Sequence, residues 1–256
     1  MVRFGVNMKK IIILLLFTTV LFGQFKFQMS RPDRYYKIYM PGCGAMWDKD
    51  IAPNGWGIYT ITNVKEATHT YFGTRGLRMV GSPYSNYSTI CIDKINLTVP
   101  YGQEFTFECY FYPYIGGNAN NSTPRMLFIT TYGTGYGAIW LSWNHYNTND
   151  IFFGDANSTS SWGISDTLSQ VAPYATRFYH LAYTRKGDSV YIFIDGKLKK
   201  KKYSIDNFVN YTTTYRMYIG CQGNGNQNVF DGIIQSIRFS EKARYTSDFL
   251  PPRRPY

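Results

Sequence analysis

The stretch FYHLAYTRKGDSVYIFIDGKL, residues 178–198, decides the fold, together with FDGIIQSIRF at residues 230–239. Apolar and polar residues alternate along each run, which is the pattern of a half-buried β-strand. Asp195-Gly196 supplies two residues that tolerate a positive φ, as a tight hairpin turn requires. The first stretch therefore predicts two hairpins in succession, and the second predicts a strand that returns later to the same sheet.

The composition favours one large all-β domain. The chain has 256 residues and is 18% aromatic, with 24 Tyr and 18 Phe, and aromatic residues are enriched in strands. A chain of this length can bury a sufficient core without a structural metal or disulfide. Charged residues make up only 17%, which fits an extracellular or virion protein better than a cytosolic enzyme.

Short strands follow one another at regular spacing, and no helical periodicity lasts beyond a turn or two. In one of them Phe105, Phe107, Cys109 and Phe111 alternate with more polar residues. The pattern predicts an antiparallel sandwich of two sheets. We divide the chain into a signal peptide at 1–23, an arm or linker at 24–43, the sandwich domain at 44–252 and a basic tail at 253–256.

Residues 1–23 have the order of residues found in an export signal. Basic residues precede Ile11–Phe22, which is apolar apart from two threonines. A run of about 12 residues suits the apolar part of a signal peptide, whereas a membrane span takes about 20. We expect the mature chain to begin near Gln24. Because Leu21 is bulky for a cleavage site, an uncleaved membrane anchor is the alternative.

A run of lysines accounts for part of the formal net charge of +11. Lys199, Lys200, Lys201 and Lys202 come shortly after the Asp-Gly turn. One interpretation is contact with an anionic surface, and the other is an edge strand whose lysines prevent sheet-to-sheet aggregation. No nucleic-acid-binding motif accompanies the run, so no nucleic-acid partner is expected.

Three stretches carry a resemblance to a known family. They are FGTRGLRMV at residues 72–80, FTFECYFYP at 105–113, and FDGIIQSIRFSEKARYTSDFLPP at 230–252. These stretches resemble the laminin-G-like, concanavalin A-like jelly roll, in the form common in bacteriophage and environmental virus proteins. The resemblance covers about residues 46–252. It implies a jelly-roll sandwich that binds sugars or surfaces, and it supplies no catalytic residues.

Candidate ligand-binding residues follow from the chemistry of sugar recognition, which uses an aromatic stacking surface with amide and carboxylate groups at its edge. One group lies near the ends of the strands predicted around residues 125–143, and Trp162 lies in a predicted polar loop at residues 157–171. The candidates are Trp162, Trp143, Asn144, His145, Tyr132 and Tyr136. For each, the alternative is an ordinary aromatic or loop residue. Trp140 is expected in the core.

Calcium is the one cofactor that the resemblance implies, because relatives of this fold often hold the ion at the rim with oxygen ligands. The candidate ligands are Asp155, Asn157 and Asp166. The alternative is that these residues serve turns. The four cysteines, Cys43, Cys91, Cys109 and Cys221, permit two disulfides in an exported chain. Buried free thiols are the alternative, and the sequence leaves both open.

An enzyme of this fold would resemble the glucanases, which carry an E-x-D-x-E or E-x-D-x-x-E strand. Retaining hydrolysis needs two carboxylates about 5 Å apart. The chain has four glutamates, none of them in that pattern, and the closest pair is Glu104 and Glu108. We interpret Glu108 and His180 as structural residues and expect no hydrolase activity.

The sequence therefore predicts a non-catalytic carbohydrate- or surface-binding module with a role in adhesion, secreted or displayed on a virion. Its expected partners are a glycan or cell-surface polysaccharide and, in an oligomer or assembly, further copies of itself. No membrane span is expected once the signal is removed. The alternative is a structural subunit of a virion or extracellular appendage, and the third hypothesis is a glycan-active hydrolase.

Overall fold

The computed structural model describes twelve stretches of the chain. They are residues 36–40, 60–72, 76–82, 86–95, 102–114, 125–131, 139–143, 150–156, 162–168, 177–203, 215–221 and 229–253. The chain divides into two compact units, Met1–Arg31 and Pro32–Tyr256, and all described residues belong to the second. In these stretches, no helix has the length and hydropathy needed to cross a membrane.

Strands account for most of the described residues. In chain order they are β1 (Tyr36–Met40), β2 (Thr60–Thr62), β3 (Lys65–Ala67), β4 (Gly76–Met79), β5 (Gly81–Ser82), β6 (Asn86–Tyr87), β7 (Thr89–Ile95), β8 (Gly102–Pro113), β9 (Arg125–Thr131), β10 (Ile139–Trp143), β11 (Ile151–Ala156), β12 (Trp162–Leu168), β13 (Tyr179–Gly187), β14 (Ser189–Ile194), β15 (Lys197–Tyr203), β16 (Tyr215–Ile219) and β17 (Gly232–Ser240).

Two large antiparallel sheets contain all but two of these strands. Sheet A has the order β15-β14-β13-β8-β17-β4-β3, and β1 also pairs with β17. Sheet B has the order β12-β11-β10-β9-β16-β7-β2, and β5 and β6 form a separate two-stranded ribbon. The predicted two-sheet antiparallel sandwich is confirmed.

The main core lies between the two sheets. On β8, the residues Phe105, Phe107, Cys109 and Phe111 belong to it and are at most 1% exposed, as the alternation predicted. Three alternate residues of β10 contribute from sheet B: Ile139, Leu141 and Trp143. Because side chains alternate between the faces of a strand, the other residues of β8 point to the outer face of sheet A, the face turned away from this core.

The hairpin between β14 and β15 turns at Asp195-Gly196, as predicted. Both residues have a positive φ, 52° and 74°, as the turn requires. A Cβ on Gly196 would lie 2.0 Å from the carbonyl oxygen of Phe249. The glycine is therefore needed both for the turn and for the close approach of the chain near the C-terminus.

A bulge in β17 changes which residues face the core. The pairing with β8 shifts between Gln235 and Arg238, and Ser236 has a φ of 52°. Ile234 and Ile237 are three residues apart, yet both belong to the main core, because a bulge adds one residue to the strand. The bulge brings Arg238 into register with Glu108 on β8.

Two segments differ from the sequence-based expectations. Tyr36–Met40, within the predicted arm or linker at 24–43, pairs with the second half of β17. Trp162–Leu168, within the predicted loop at 157–171, pairs with β11 along its length. In both cases another strand, β17 or β11, supplies the backbone partners, and strand formation depends on such neighbours as well as on local propensity.

Candidate functional site

Residues 241–253, called here the C-terminal segment, cover part of the outer face of sheet A. The rings of Tyr245 and Phe249 stack with centroids 3.6 Å apart and planes 6° apart. Both rings pack against a buried cluster on β13 and β14 that includes Phe193. The backbone N–H of Phe249 donates to the carbonyl of Gly196 at 2.8 Å. The segment is thus held by ring contacts and by the hairpin turn.

A buried ion pair lies beneath this segment. Glu108 on β8 is fully buried, and the Nε of Arg238 donates to its Oε1 at 2.7 Å. Nη2 of Arg238 also donates to Oε1. The hydroxyl of Tyr245 donates to Oε2 at 3.0 Å, and Nε2 of His180 lies 3.3 Å from the same oxygen. A buried carboxylate is costly unless it is paired and hydrogen-bonded, and these groups meet both needs.

The surroundings of Glu108 keep the tyrosine hydroxyl protonated. Burial, followed by the charge of Glu108, raises the pKa of Tyr245 above its ordinary value. Burial also raises the pKa of Tyr110, whose hydroxyl donates to the carbonyl of Pro252 in the C-terminal segment. Both carboxylate oxygens of Glu108 are engaged and covered. A substrate could reach them only if the C-terminal segment moved away.

Next to the covered area, aromatic rings form a second feature of the outer face of sheet A, called here the aromatic platform. Its members are His69, Tyr71, Phe72, Tyr110, Tyr112, Tyr114 and Phe178. Tyr110 and Tyr112 come from β8, where they alternate with the core residues. Tyr71 and His69 are exposed, Tyr71 at 48%. The platform therefore has a buried base and a side open to solvent.

The exposed rings are held in place by the buried ones. Tyr71 stacks on Tyr110 with centroids 4.6 Å apart and planes 22° apart, and its backbone N–H donates to Oε1 of Gln235 at 3.0 Å. His69 stacks on Phe178 at 5.6 Å and meets the edge of Tyr112 at 4.9 Å. Such offset and edge contacts are the preferred arrangements of aromatic rings, so the platform is preorganised.

Two arginine–aspartate pairs lie at the rim of the platform. Nη1 of Arg78 is 2.6 Å from Oδ1 of Asp231, and its guanidinium lies 4.5 Å from the ring centroid of Tyr114. Arg177 precedes Phe178, and its Nη2 is 2.8 Å from Oδ2 of Asp195. Burial opposes the charge of Arg177, but the hydrogen bond and charge of Asp195 raise its pKa. The rim thus offers polar groups whose charges are balanced.

Strand β15, called here the lysine edge, is an edge strand of sheet A. Lys200 and Lys202 pair with Ile192 and Val190, two residues of the main core, and so face the inner side of the sheet. There both ammonium groups reach Oδ2 of Asp166 on β12, at 2.8 and 2.9 Å. Burial would raise the pKa of Asp166, but the hydrogen bonds from both lysines and from the Thr167 N–H lower it to about 2.

Lys201 and Lys197 make other contacts than Lys200 and Lys202. Lys201 pairs with Tyr191 on β14, and its Nζ lies 4.6 Å from the ring centroid of Tyr203 and 5.4 Å from that of Tyr191. Lys197 donates to Asp248 of the C-terminal segment at 3.0 Å. The prediction that the lysine run lies on an edge strand is confirmed, and the run divides between the two sides of the sheet.

The predicted ligand-binding residues do not come together in the described part of the chain. Trp143 is 1% exposed and belongs to the main core. Its predicted role in an exposed stacking surface is therefore wrong, because it shares the inner face of β10 with Leu141. Trp162 begins β12, an edge strand of sheet B, instead of lying in a loop. Trp140 is buried, as expected. Outside the described residues lie Asn144, His145, Tyr132 and Tyr136.

Two of the predicted calcium ligands lie on neighbouring strands, where Asp155 pairs with Ile164 and Asp166 pairs with Phe153. Asp155 lies on β11 and Asp166 on β12, while Asn157 lies outside the described residues. Across the twelve described stretches, no group of three or more His, Cys, Asp or Glu residues could hold a metal ion. Two lysines already contact Asp166, and their positive charges would compete with a cation at this carboxylate.

Three of the four cysteines lie in the described stretches and are buried, namely Cys91, Cys109 and Cys221, and the last two are free thiols. Burial raises the pKa of Cys221 to about 12 against the opposing hydrogen bond with Thr89, and the charge of Cys91 adds to the increase. Burial raises the pKa of Cys109 as well, followed by the charge of Glu108. Cys43 lies outside the described residues. Such thiols act as small apolar side chains.

The sequence carries one signal of the aromatic platform, which was not among the predicted binding residues. The alternation that assigned Phe105, Phe107 and Phe111 to the core leaves Tyr110 and Tyr112 on the opposite face. What the alternation could not show is that residues 69–72 cover those tyrosines. That contact depends on the long-range pairing of β17 with both β8 and β4.

The sequence matches a known family over most of the described domain. Residues 85–248, more than half of the chain, match the family model described as the Concanavalin A-like lectin/glucanases superfamily. No curated protein matches the chain. The antiparallel two-sheet architecture and this match together confirm the predicted concanavalin A-like jelly roll.

Solved structures of similar fold include toxin binding domains. The binding domain of botulinum neurotoxin serotype G has a TM-score of 0.56 at 12% identity, and that of Paraclostridial Mosquitocidal Protein 1 has 0.58 at 14%. A structure concerning botulinum neurotoxin type C, whose cell entry is described as dependent upon interaction with two ganglioside molecules, has 0.59 at 10%.

These matches cover 82% of this chain but only 48%, 50% and 49% of the three solved chains. The chain therefore spans about half the length of the toxin domains that it resembles. At these identities the likeness shows the fold alone.

Proposed function

Because the chain belongs to the concanavalin A-like lectin/glucanase superfamily, we propose that it is a non-catalytic binding module that attaches to carbohydrate on a surface. The aromatic platform is the proposed site. The observation that carries the proposal is the exposure of Tyr71, 48% open to solvent, on a base of stacked rings. A tyrosine that served only the core would be covered like Tyr110, which is 1% exposed.

The chemistry of the platform suits a neutral sugar. The C–H face of a pyranose can stack on the rings of Tyr71 and His69 and bury apolar area. The rim pairs of Arg78 with Asp231 and Arg177 with Asp195 offer donors and acceptors to sugar hydroxyls. Since each guanidinium already has a carboxylate beside it, the rim gives an anionic ligand little net attraction.

Support for a non-catalytic role comes from Glu108. This glutamate lies within residues 105–113, one of the stretches that resemble the family. It is fully buried against Arg238 and covered by Tyr245. Glycoside hydrolysis needs two carboxylates that flank the scissile bond, and an enclosed ion pair does not meet that need. The toxin domains of similar fold are likewise called binding domains.

The ganglioside dependence stated for the type C neurotoxin supports glycan as the ligand class. Because this chain matches about half of that solved chain, the aromatic platform alone supports the location of the sugar site. We place the protein outside the cell or on a virion surface. That placement is supported by the order of basic and apolar residues at positions 1–23 and by the 17% content of charged residues.

The test is binding to a panel of immobilised neutral β-glucans and galactans. Tyr71→Ala should weaken binding to the best ligand roughly 5- to 150-fold, which corresponds to a loss of about 1–3 kcal/mol for an aromatic hot spot. Ile61→Ala is the control, because Ile61 is also an exposed apolar residue, at 38%, but lies on β2 of sheet B. A melting temperature close to that of the wild type would show that the Tyr71→Ala fold is intact.

Unchanged sugar binding by Tyr71→Ala would remove the platform as the site. If no neutral glycan binds and the purified protein assembles into ordered particles in electron micrographs, the alternative of a structural subunit would replace the proposal. The bridging of Lys200 and Lys202 to Asp166 argues against assembly by strand addition at this edge, because inward charges disfavour such pairing.

A further inference from the structure

We propose that the outer side of the lysine edge is a second binding site, for an acidic polysaccharide that carries sulfate or carboxylate groups. This second site is independent of the aromatic platform. The lysines of β15 are not equivalent: the structure engages some of them in ion pairs and leaves others exposed on the surface.

The lysines of β15 differ in whether they form ion pairs. Lys200 and Lys202 share Asp166, and Lys197 contacts Asp248. Among the ion pairs between described residues, none involves Lys199 or Lys201, and both side chains are exposed. The strand therefore keeps a surplus of positive charge at these two positions. Lys201 pairs with Tyr191, whereas Lys199 lies at a bulge, since the register with β14 shifts between Lys200 and Leu198.

An exposed aromatic side chain accompanies this charge. Tyr203 is 66% exposed, and its ring centroid is 4.6 Å from Nζ of Lys201. Lysines alone are sufficient to protect an edge strand from aggregation, so protection does not account for the exposed ring. An ammonium group beside an open tyrosine face can contact an anionic substituent while the sugar that bears it stacks on the ring.

The spacing of the charges favours a polysaccharide over nucleic acid. Duplex DNA carries one negative charge for about every 1.7 Å of its axis, which calls for a broad basic surface. Here two exposed lysines stand on one strand, and the carboxylates of Asp166 and Asp248 lie close by. A chain with about one anionic group per sugar or disaccharide matches two such lysines better.

The experiment measures binding of the full chain to immobilised heparin and to alginate, with dextran as the neutral reference. Lys199→Gln/Lys201→Gln should weaken heparin binding about tenfold at low salt, and the difference should vanish near 1 M salt, where the Debye length is about 3 Å. Lys199→Arg/Lys201→Arg keeps the charge and should retain binding. Tyr203→Ala should weaken it several-fold.

The matched control is Lys65→Gln/Lys186→Gln, which removes the same charge from two exposed lysines on β3 and β13. It should leave heparin binding near that of the wild type. An equal loss in this control, duplex DNA binding with the same sensitivity to Lys199→Gln/Lys201→Gln, or no salt-dependent heparin binding at all would each overturn the proposal. Tyr71→Ala should leave heparin binding intact, so a failure of this site and a failure of the aromatic platform are distinguishable.

Discussion

Substitution of Glu108 by glutamine tests whether this residue stabilises the fold or takes part in chemistry. Glutamine preserves the shape of the side chain and removes its charge. Arg238, whose side chain is 6% exposed, would keep its positive charge without the carboxylate that accepts two of its hydrogen bonds. Breaking a buried ion pair by removing one partner costs about 3–5 kcal/mol, a large share of the roughly 5–15 kcal/mol that stabilises a typical domain.

Urea denaturation followed by tryptophan fluorescence measures this loss. With a slope of about 3 kcal/mol per molar urea, at the upper end of the usual range, the midpoint should fall by roughly 1–2 M. Glu104→Gln is the control on the same strand, because Glu104 is exposed and accepts a single backbone N–H, from Ala243, at 3.2 Å. Its effect should stay within about 0.5–1 kcal/mol.

Two results would refute this reasoning. An unchanged midpoint for Glu108→Gln would mean that the buried pair contributes no net stability. Release of reducing sugar from β-glucans or galactans by the wild type, abolished by Glu108→Gln in a variant that is still folded, would make Glu108 catalytic. In the double variant Glu108→Gln/Arg238→Met, part of the lost stability should return, since the unpaired charge is removed.

Two further predictions concern the sandwich edge and the N-terminus. The pKa of Asp166 is lowered from 3.8 to about 2, which corresponds to about 2.4 kcal/mol at 1.36 kcal/mol per unit, and to about 1 kcal/mol after solvent screening of the exposed lysines. This contribution to stability is present above pH 4 and is lost as the pH falls toward 2. Asp166→Asn should therefore lower the stability measured in urea at pH 7 and not at pH 2. An equal loss at both pH values would contradict a stabilising role of the Asp166 carboxylate. Intact-mass measurement of the exported protein should give a start near Gln24, and a soluble chain that still begins at Met1 would contradict cleavage.

Local sequence was sufficient for most of the architecture. Alternation over residues 178–198 and the Asp195-Gly196 pair predicted β13 to β15, because the side-chain period of a strand and the positive φ of a tight turn are properties of a few neighbouring residues. The same alternation assigned Phe105 and Phe107 to the core. The run of lysines itself predicted an edge strand, because charged side chains on an edge prevent sheet-to-sheet aggregation.

Other features depended on contacts between distant residues. Alternation separates the two faces of a strand but does not say which face another part of the chain covers. Trp143 was therefore expected at the surface, although its face of β10 meets sheet A across the core. The strands β1 and β12 were missed because their pairing with β17 and β11 is a contact between separate strands.

The sequence by itself determined an antiparallel sandwich, its last hairpins and the family to which the chain belongs, since these depend on local period and turn chemistry. Only the tertiary structure decided where a ligand could bind. The C-terminal segment covers Glu108, and residues 69–72 complete the aromatic platform. Asp166 forms ion pairs with Lys200 and Lys202 on the inner side of the lysine edge. Each of these contacts joins residues far apart in the chain, and their meeting is set by strand order and register, which no local pattern encodes.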